Sequence, residues 1–107
     1  MATNQSDDEV WSALGDRSRR AIVLRLAERP HAVVDLANSL PLSRPAVSQH
    51  LRVLKDAGLV SEQAVGTRRI YHLNEAGLSA LRDQLDTFWN RALSGFGDLA
   101  SQPEETQ

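Results

Sequence analysis

The sequence predicts a mainly α-helical domain with one small β-hairpin, in the order helix, helix, helix, helix, hairpin, helix. Three observations predict it. Apolar residues recur at helical spacing in several short segments, and glycine or proline punctuates the junctions between them. Between residues 59 and 73 the period shortens to that of strands, around a single glycine. The length of 107 residues suits one domain. The expected boundaries are a flexible N-terminal tail over 1–6, the domain over 7–100, and a flexible C-terminal tail over 101–107. Both tails are polar and lack apolar periodicity.

The first helix spans Asp7 to Leu14, with Val10, Trp11 and Leu14 on one side, and Gly15 ends it. Asp16 is placed to cap the second helix, Arg17 to Glu28, by accepting backbone N–H bonds. Ala21, Ile22, Leu24 and Leu26 are its apolar residues, and it stops before Pro30. Residues 33–40 make a third helix too short to stand alone, and Pro41 breaks it. Ser43 opens a fourth, with Pro45 in the first turn, where a missing N–H costs nothing. Val47, His50, Leu51 and Leu54 fall on one of its faces, and Gly58 closes it. Residues 60–64 and 69–73 are the hairpin strands, and Gly66 supplies the positive φ of the turn. The last helix starts near Asn74-Glu75 and runs to about Leu99. Its apolar stripe is Leu78, Leu81, Leu85, Phe88, Trp89, Ala92, Leu93 and Phe96. This is the order of a winged helix-turn-helix.

Composition narrows the function. Without cysteine the chain has no disulfide, thiolate zinc site or cysteine nucleophile. No apolar run approaches the ~20 residues that cross a bilayer. Met1 to Glu9 is polar and acidic, unlike a secretory signal, so a soluble, cytoplasmic protein with no membrane partner is expected. The net charge of −2 conceals segregation, because residues 16–72 carry +5, residues 1–15 carry −3 and residues 73–107 carry −4. A basic middle between acidic ends suggests a face meant for a polyanion.

Residues 33–56 decide what that face is. Two short helices meet at Leu40-Pro41-Leu42-Ser43, a turn too short for parallel packing. Leu36, Leu40, Leu42, Val47, Leu51 and Leu54 would seal the junction, with Ala37 small enough for a close crossing. The second helix is then held across the first and offered to the major groove of DNA. A 100° step puts Pro45, Gln49, Arg52 and Asp56 opposite the inward face, with Arg44 and Ser48 toward its N-terminal end. Arginine pairs bidentately with guanine, glutamine with adenine and serine with either, while proline offers apolar contact to a thymine methyl. The helix N-terminus, with Ser43, suits a phosphate.

Three blocks resemble the ArsR family of bacterial repressors. They are Ala13-Leu14-Gly15-Asp16-Arg17-Ser18-Arg19-Arg20-Ala21-Ile22, Leu42-Ser43-Arg44-Pro45-Ala46-Val47-Ser48-Gln49-His50-Leu51-Arg52-Val53-Leu54-Lys55-Asp56-Ala57-Gly58-Leu59-Val60, and Gly66-Thr67-Arg68-Arg69-Ile70-Tyr71-His72-Leu73. The resemblance runs from about Val10 to Phe96, and its middle block is the most specific. It implies a homodimeric winged helix that represses transcription by covering a double-stranded operator. By resemblance, Arg44, Pro45, Ser48 and Gln49 face the groove. Arg68 and Arg69 lie at the wing and reach the backbone or the adjacent minor groove, and Lys55 and Thr67 are grouped with them.

Metal sensing, found in many relatives, is not expected to carry over. The stretch Val33-Val34-Asp35-Leu36-Ala37-Asn38 has no thiol, and Asp83 and Asp86 on the last helix have no histidine beyond His72 to join them. No metal, cofactor or catalytic residue is expected. His50 reads as packed rather than DNA-contacting, His72 as either structural or phosphate-touching, and His31 as plain surface in a loop. Trp11, Leu78, Leu81, Leu85, Phe88 and Trp89 read as a dimer interface, because the rest of the domain cannot cover a stripe of about six turns. A two-fold dimer would set its recognition helices about 34 Å apart, one turn of B-DNA. Two alternatives stay open: a ligand-responsive regulator with a small-molecule site between the terminal helices, and a winged-helix protein-interaction module. The effector is left open. An enzyme is the weakest reading, since neither a phosphate-binding glycine loop nor a nucleophile–base spacing is present.

Overall fold

The computed structural model describes the backbone of residues 5–105 and the side chains of residues 9–97. The elements are α1 (Gln5–Leu14), α2 (Arg17–Glu28), β1 (His31–Ala32), α3 (Val33–Ser39), α4 (Arg44–Asp56), β2 (Val60–Val65), β3 (Arg68–Leu73) and α5 (Glu75–Glu105). The outer parts of the expected tails, 1–4 and 106–107, lie outside the described residues. The inner parts are helical, since α1 begins at Gln5 and α5 passes Leu99 to reach Glu105. A helix already nucleated gains a hydrogen bond for each residue added, so polar composition alone does not stop it.

Local chemistry sets the boundaries. The Asp16 carboxylate caps α2 by accepting from the Arg19 amide at 3.0 Å. That bond, first among its influences, holds the Asp16 pKa below its usual value. The Arg19 and Arg20 guanidiniums turn back to donate to the carbonyls of Ala13 and Leu14, at 2.8 and 2.7 Å. Two cations of the basic middle thus satisfy the C-terminal carbonyls of α1.

Ile22, Leu36, Val47, Leu51, Leu54 and Leu59 form the fully buried centre where α2, α3 and α4 meet. The sheet, in the order β1-β3-β2, covers one side of it. The expected hairpin is β2–β3, and a third short strand, β1, adds to it. His31 and Ala32 pair antiparallel with Tyr71 and Ile70. His31 is only 5% exposed, and its Nδ1–H donates to the Arg29 carbonyl at 2.8 Å, so it is a core residue and not surface. The third strand extends a ribbon that would be marginal with two.

Asn74 anchors α5. Its side-chain oxygen accepts from the Gly77 amide at 2.9 Å, its amide group donates to Ser61 Oγ at 2.7 Å, and its backbone N–H donates to the Leu59 carbonyl at 2.8 Å. Gly77 lies so close to the turn after α4 that a Cβ there would sit 1.9 Å from the Gly58 carbonyl oxygen. Gly77→Ala would gain roughly 0.5–1 kcal/mol of helix propensity. The collision is with backbone, however, and overpacking of this kind costs about 1–3 kcal/mol. A lower thermal midpoint is therefore expected, measured by circular dichroism. Past Leu81, which still packs against the core, α5 extends away from the body of the domain. The radius of gyration is 18.6 Å, against about 13 Å for a compact chain of this length.

Candidate nucleic-acid interface

The turn from α3 to α4 is tight, the Leu42 amide donating to the Leu40 carbonyl at 2.8 Å across Pro41. Ser43 then caps α4, its Oγ accepting from the Ala46 amide at 3.2 Å, and Pro45 occupies the first turn. Val47, Leu51 and Leu54 are at most 1% exposed, pressed against Leu36 and Ile22. Leu40, Leu42 and Ala37 pack around them. With that face sealed, Arg44, Pro45, Ser48, Gln49 and Arg52 are all exposed on the other side, and Ser43 is exposed beside them.

The wing is a two-residue hairpin. Val65 pairs with Arg68, and Gly66, at φ 64°, takes the first turn position before Thr67. Thr67 has no positive φ, which matches the turn that places glycine first. Gly66, Thr67, Arg68 and Arg69 are exposed.

The cations grouped with the wing do not stand free. Lys55 Nζ pairs with Glu62 Oε2, and Arg69 Nη1 donates to Glu62 Oε1 at 2.8 Å. Arg68 Nη2 donates to Asp35 Oδ2 at 3.2 Å, linking the wing to α3. Asp35 Oδ2 also accepts from the Ala32 amide at 3.4 Å. Hydrogen bonds from Lys55 and then Arg69 hold the Glu62 carboxyl below its usual pKa, so it is charged at neutral pH. Burial first, and then the neighbouring Glu62 charge, raises the Tyr71 phenol. An open groove of about 770 Å³ runs between α4 and the wing strands, lined by Ser48, Gln49, Arg52, Lys55, Glu62, Arg69 and Tyr71 among others.

Sequence reading missed the two carboxylates. Glu62 lies opposite Tyr71, and Ala64 opposite Arg69. Glu62 and Arg69 are therefore diagonal neighbours on one face, within reach for long side chains. The two-residue turn at Gly66 was the signal that fixes this register. Of the histidines, His50 is half-buried with Nδ1 accepting from Arg19 Nη1 at 3.4 Å, and His72 Nδ1 donates to the Leu73 carbonyl at 3.1 Å. Both engage protein partners.

On the terminal helices Trp11, Leu78, Phe88, Trp89, Leu93 and Phe96 are exposed, and Phe88 and Trp89 meet edge to face at 5.6 Å. Leu85 is partly buried, and Leu81 packs against the core of its own chain. Among the described residues no helix is long and apolar enough to cross a membrane. No group of three metal-ligating side chains converges among them either.

A recognition helix braced across its neighbour, beside a basic hairpin, defines a winged helix-turn-helix DNA-binding regulator. The comparisons with known proteins give its kin. The family model for bacterial regulatory proteins of the arsR family matches residues 16–62. The HTH-type transcriptional regulator Rv2034 of Mycobacterium tuberculosis is 59% identical over 99 residues, 92% of each chain. The transcriptional repressor SdpR of Bacillus subtilis is 30% identical over 92 residues, 86% of this chain and 99% of its own. The homodimeric winged helix-turn-helix DNA-binding domain of a Mycobacterium bovis protein, solved in solution, superposes with a TM-score of 0.67 at 26% identity, covering 84% of this chain and 83% of that one. The chain belongs to the ArsR family. It is a transcriptional regulator, not an enzyme.

Proposed function

We propose that the protein is a homodimeric repressor, acting in the cytoplasm on a palindromic operator, with its own promoter among the sites. The observation that carries this is the division of α4 into an apolar face buried to within 1% and an opposite face of Arg44, Pro45, Ser48, Gln49 and Arg52 open to solvent. Arg44 and Gln49 read base edges, Ser43 and the first turn of α4 hold a phosphate, and the wing follows the backbone. The exposed apolar residues of α1 and α5 support a dimer formed through those helices, as does the homodimeric relative. The repressor name of SdpR supports the direction of regulation.

Selection of bound genomic fragments, followed by footprinting, tests the reading. An inverted repeat with half-sites about one helical turn apart is expected. Fragments without a shared motif would overturn it. Within the same reading Arg68 contacts backbone, so Arg68→Ala should weaken binding to all sequences alike and reduce the slope of log affinity on log salt by about 1. Salt titrations on operator and scrambled duplexes measure both effects.

A further inference from the structure

We propose that Glu62 is a specificity-determining residue, which neutralises Lys55 and Arg69 and so weakens sequence-independent binding to DNA. This rests on the proposed docking of α4 and the wing. The geometry is layered. The Glu62 side chain is 18% exposed, whereas those of Lys55 and Arg69 are 49% and 67% exposed. The carboxylate therefore lies behind the two cations, at the floor of the groove between α4 and the wing, with one oxygen committed to each. Lys55 comes from α4 and Arg69 from β3, so the carboxylate joins recognition helix to wing at the place where a backbone strand would pass. The Arg68–Asp35 pair differs, since both of its side chains are about half exposed and exchange partners easily in water.

Binding to arbitrary sequence depends almost wholly on cations that meet phosphates and release counterions. A cation already paired with a carboxylate contributes little to that term. On an operator, base contacts from α4 hold the backbone against the groove, and phosphates there replace the carboxylate as partner of Lys55 and Arg69. On arbitrary sequence nothing holds the backbone so closely. Glu62 therefore suppresses the second mode more than the first, and it widens the ratio between them.

Glu62→Gln keeps the shape and an acceptor while removing the charge. On a scrambled duplex the variant is expected to bind more tightly than the wild type, with a salt slope steeper by up to about 2. Its affinity should then fall about tenfold more than that of the wild type between 50 and 200 mM salt. Operator affinity should rise less, so the specificity ratio falls. Adding Lys55→Gln and Arg69→Gln to the variant should abolish the gain. Unchanged or weaker binding to scrambled DNA, or a gain that survives loss of both cations, would overturn the proposal. Arg44→Ala with Gln49→Ala in the same assay separates this from failure of the docking itself. If that pair keeps its operator preference, the docking is wrong. If it loses the preference while Glu62→Gln changes nothing, the role of Glu62 is wrong.

Discussion

Replacing Arg44 and Gln49 together by alanine is expected to weaken operator binding by about 2–6 kcal/mol, since each well-placed bidentate contact discriminates by about 1–3 kcal/mol. That is the largest effect foreseen on DNA recognition, and it should be confined to recognition. Both side chains are exposed, and neither has a hydrogen-bond or ion-pair partner among the described residues. Their removal leaves the Ser43 cap and the buried face of Val47, Leu51 and Leu54 untouched. Far-ultraviolet circular dichroism and the thermal midpoint should therefore match the wild type, while titration against operator shows the loss. Binding to a scrambled duplex should fall far less. A folded double variant with normal operator affinity would remove α4 from the major groove.

The second large effect is expected at the other end of the molecule. Trp89→Ala should shift the protein from dimer toward monomer, because an aromatic anchor at an interface typically contributes about 2 kcal/mol or more and two-fold symmetry counts the change twice. Trp89 is 56% exposed in the isolated chain and stacks only edge to face on Phe88, itself 57% exposed. With Leu93 and Phe96, they form an apolar surface on a helix that projects away from the domain. The core around Ile22, Leu36 and Leu54 does not include Trp89, so the monomer should keep its fold. Light scattering across a dilution series reads the outcome. A dimer mass that persists at low concentration would take Trp89 out of the interface. Operator affinity should fall with the dimer, since one half-site retains only part of the contacts.

What was legible in the sequence was mostly local. Asp16 and Ser43 announce helix starts because a short side-chain oxygen meets the orphan amides of a first turn, and both cap as expected. Gly58 and Gly66 were legible because only glycine adopts positive φ freely, and they stand at φ 84° and 64°. The inward face of α4 followed from periodicity alone. The strand at His31–Ala32 was not legible, since two residues carry no period and their partners, Tyr71 and Ile70, are about 40 positions away. The apolar stripe of α5 told which face was apolar but not what covers it. Leu81 turns to the core of its own chain, while Trp89 does not. Charge was the least legible property. Segregation marked the basic middle, yet Arg19 and Arg20 bind carbonyls of α1, and Lys55, Arg68 and Arg69 bind carboxylates. The summed charge of a segment therefore overstates what is free to meet a phosphate. Arg44 and Arg52, exposed on α4 and unpaired among the described residues, are closer to that quantity.

The most direct test of the central claim, that α4 reads a specific DNA sequence, is a salt titration of binding to the DNA upstream of the protein's own gene, beside a scrambled duplex of equal length. The account predicts tighter binding to the upstream duplex at every salt concentration. It also predicts affinity falling steeply with salt on both duplexes, as phosphate contacts require. Equal, weak binding to both duplexes would contradict binding at its own promoter. If no genomic fragment were then preferred, the claim that α4 reads sequence would fall with it.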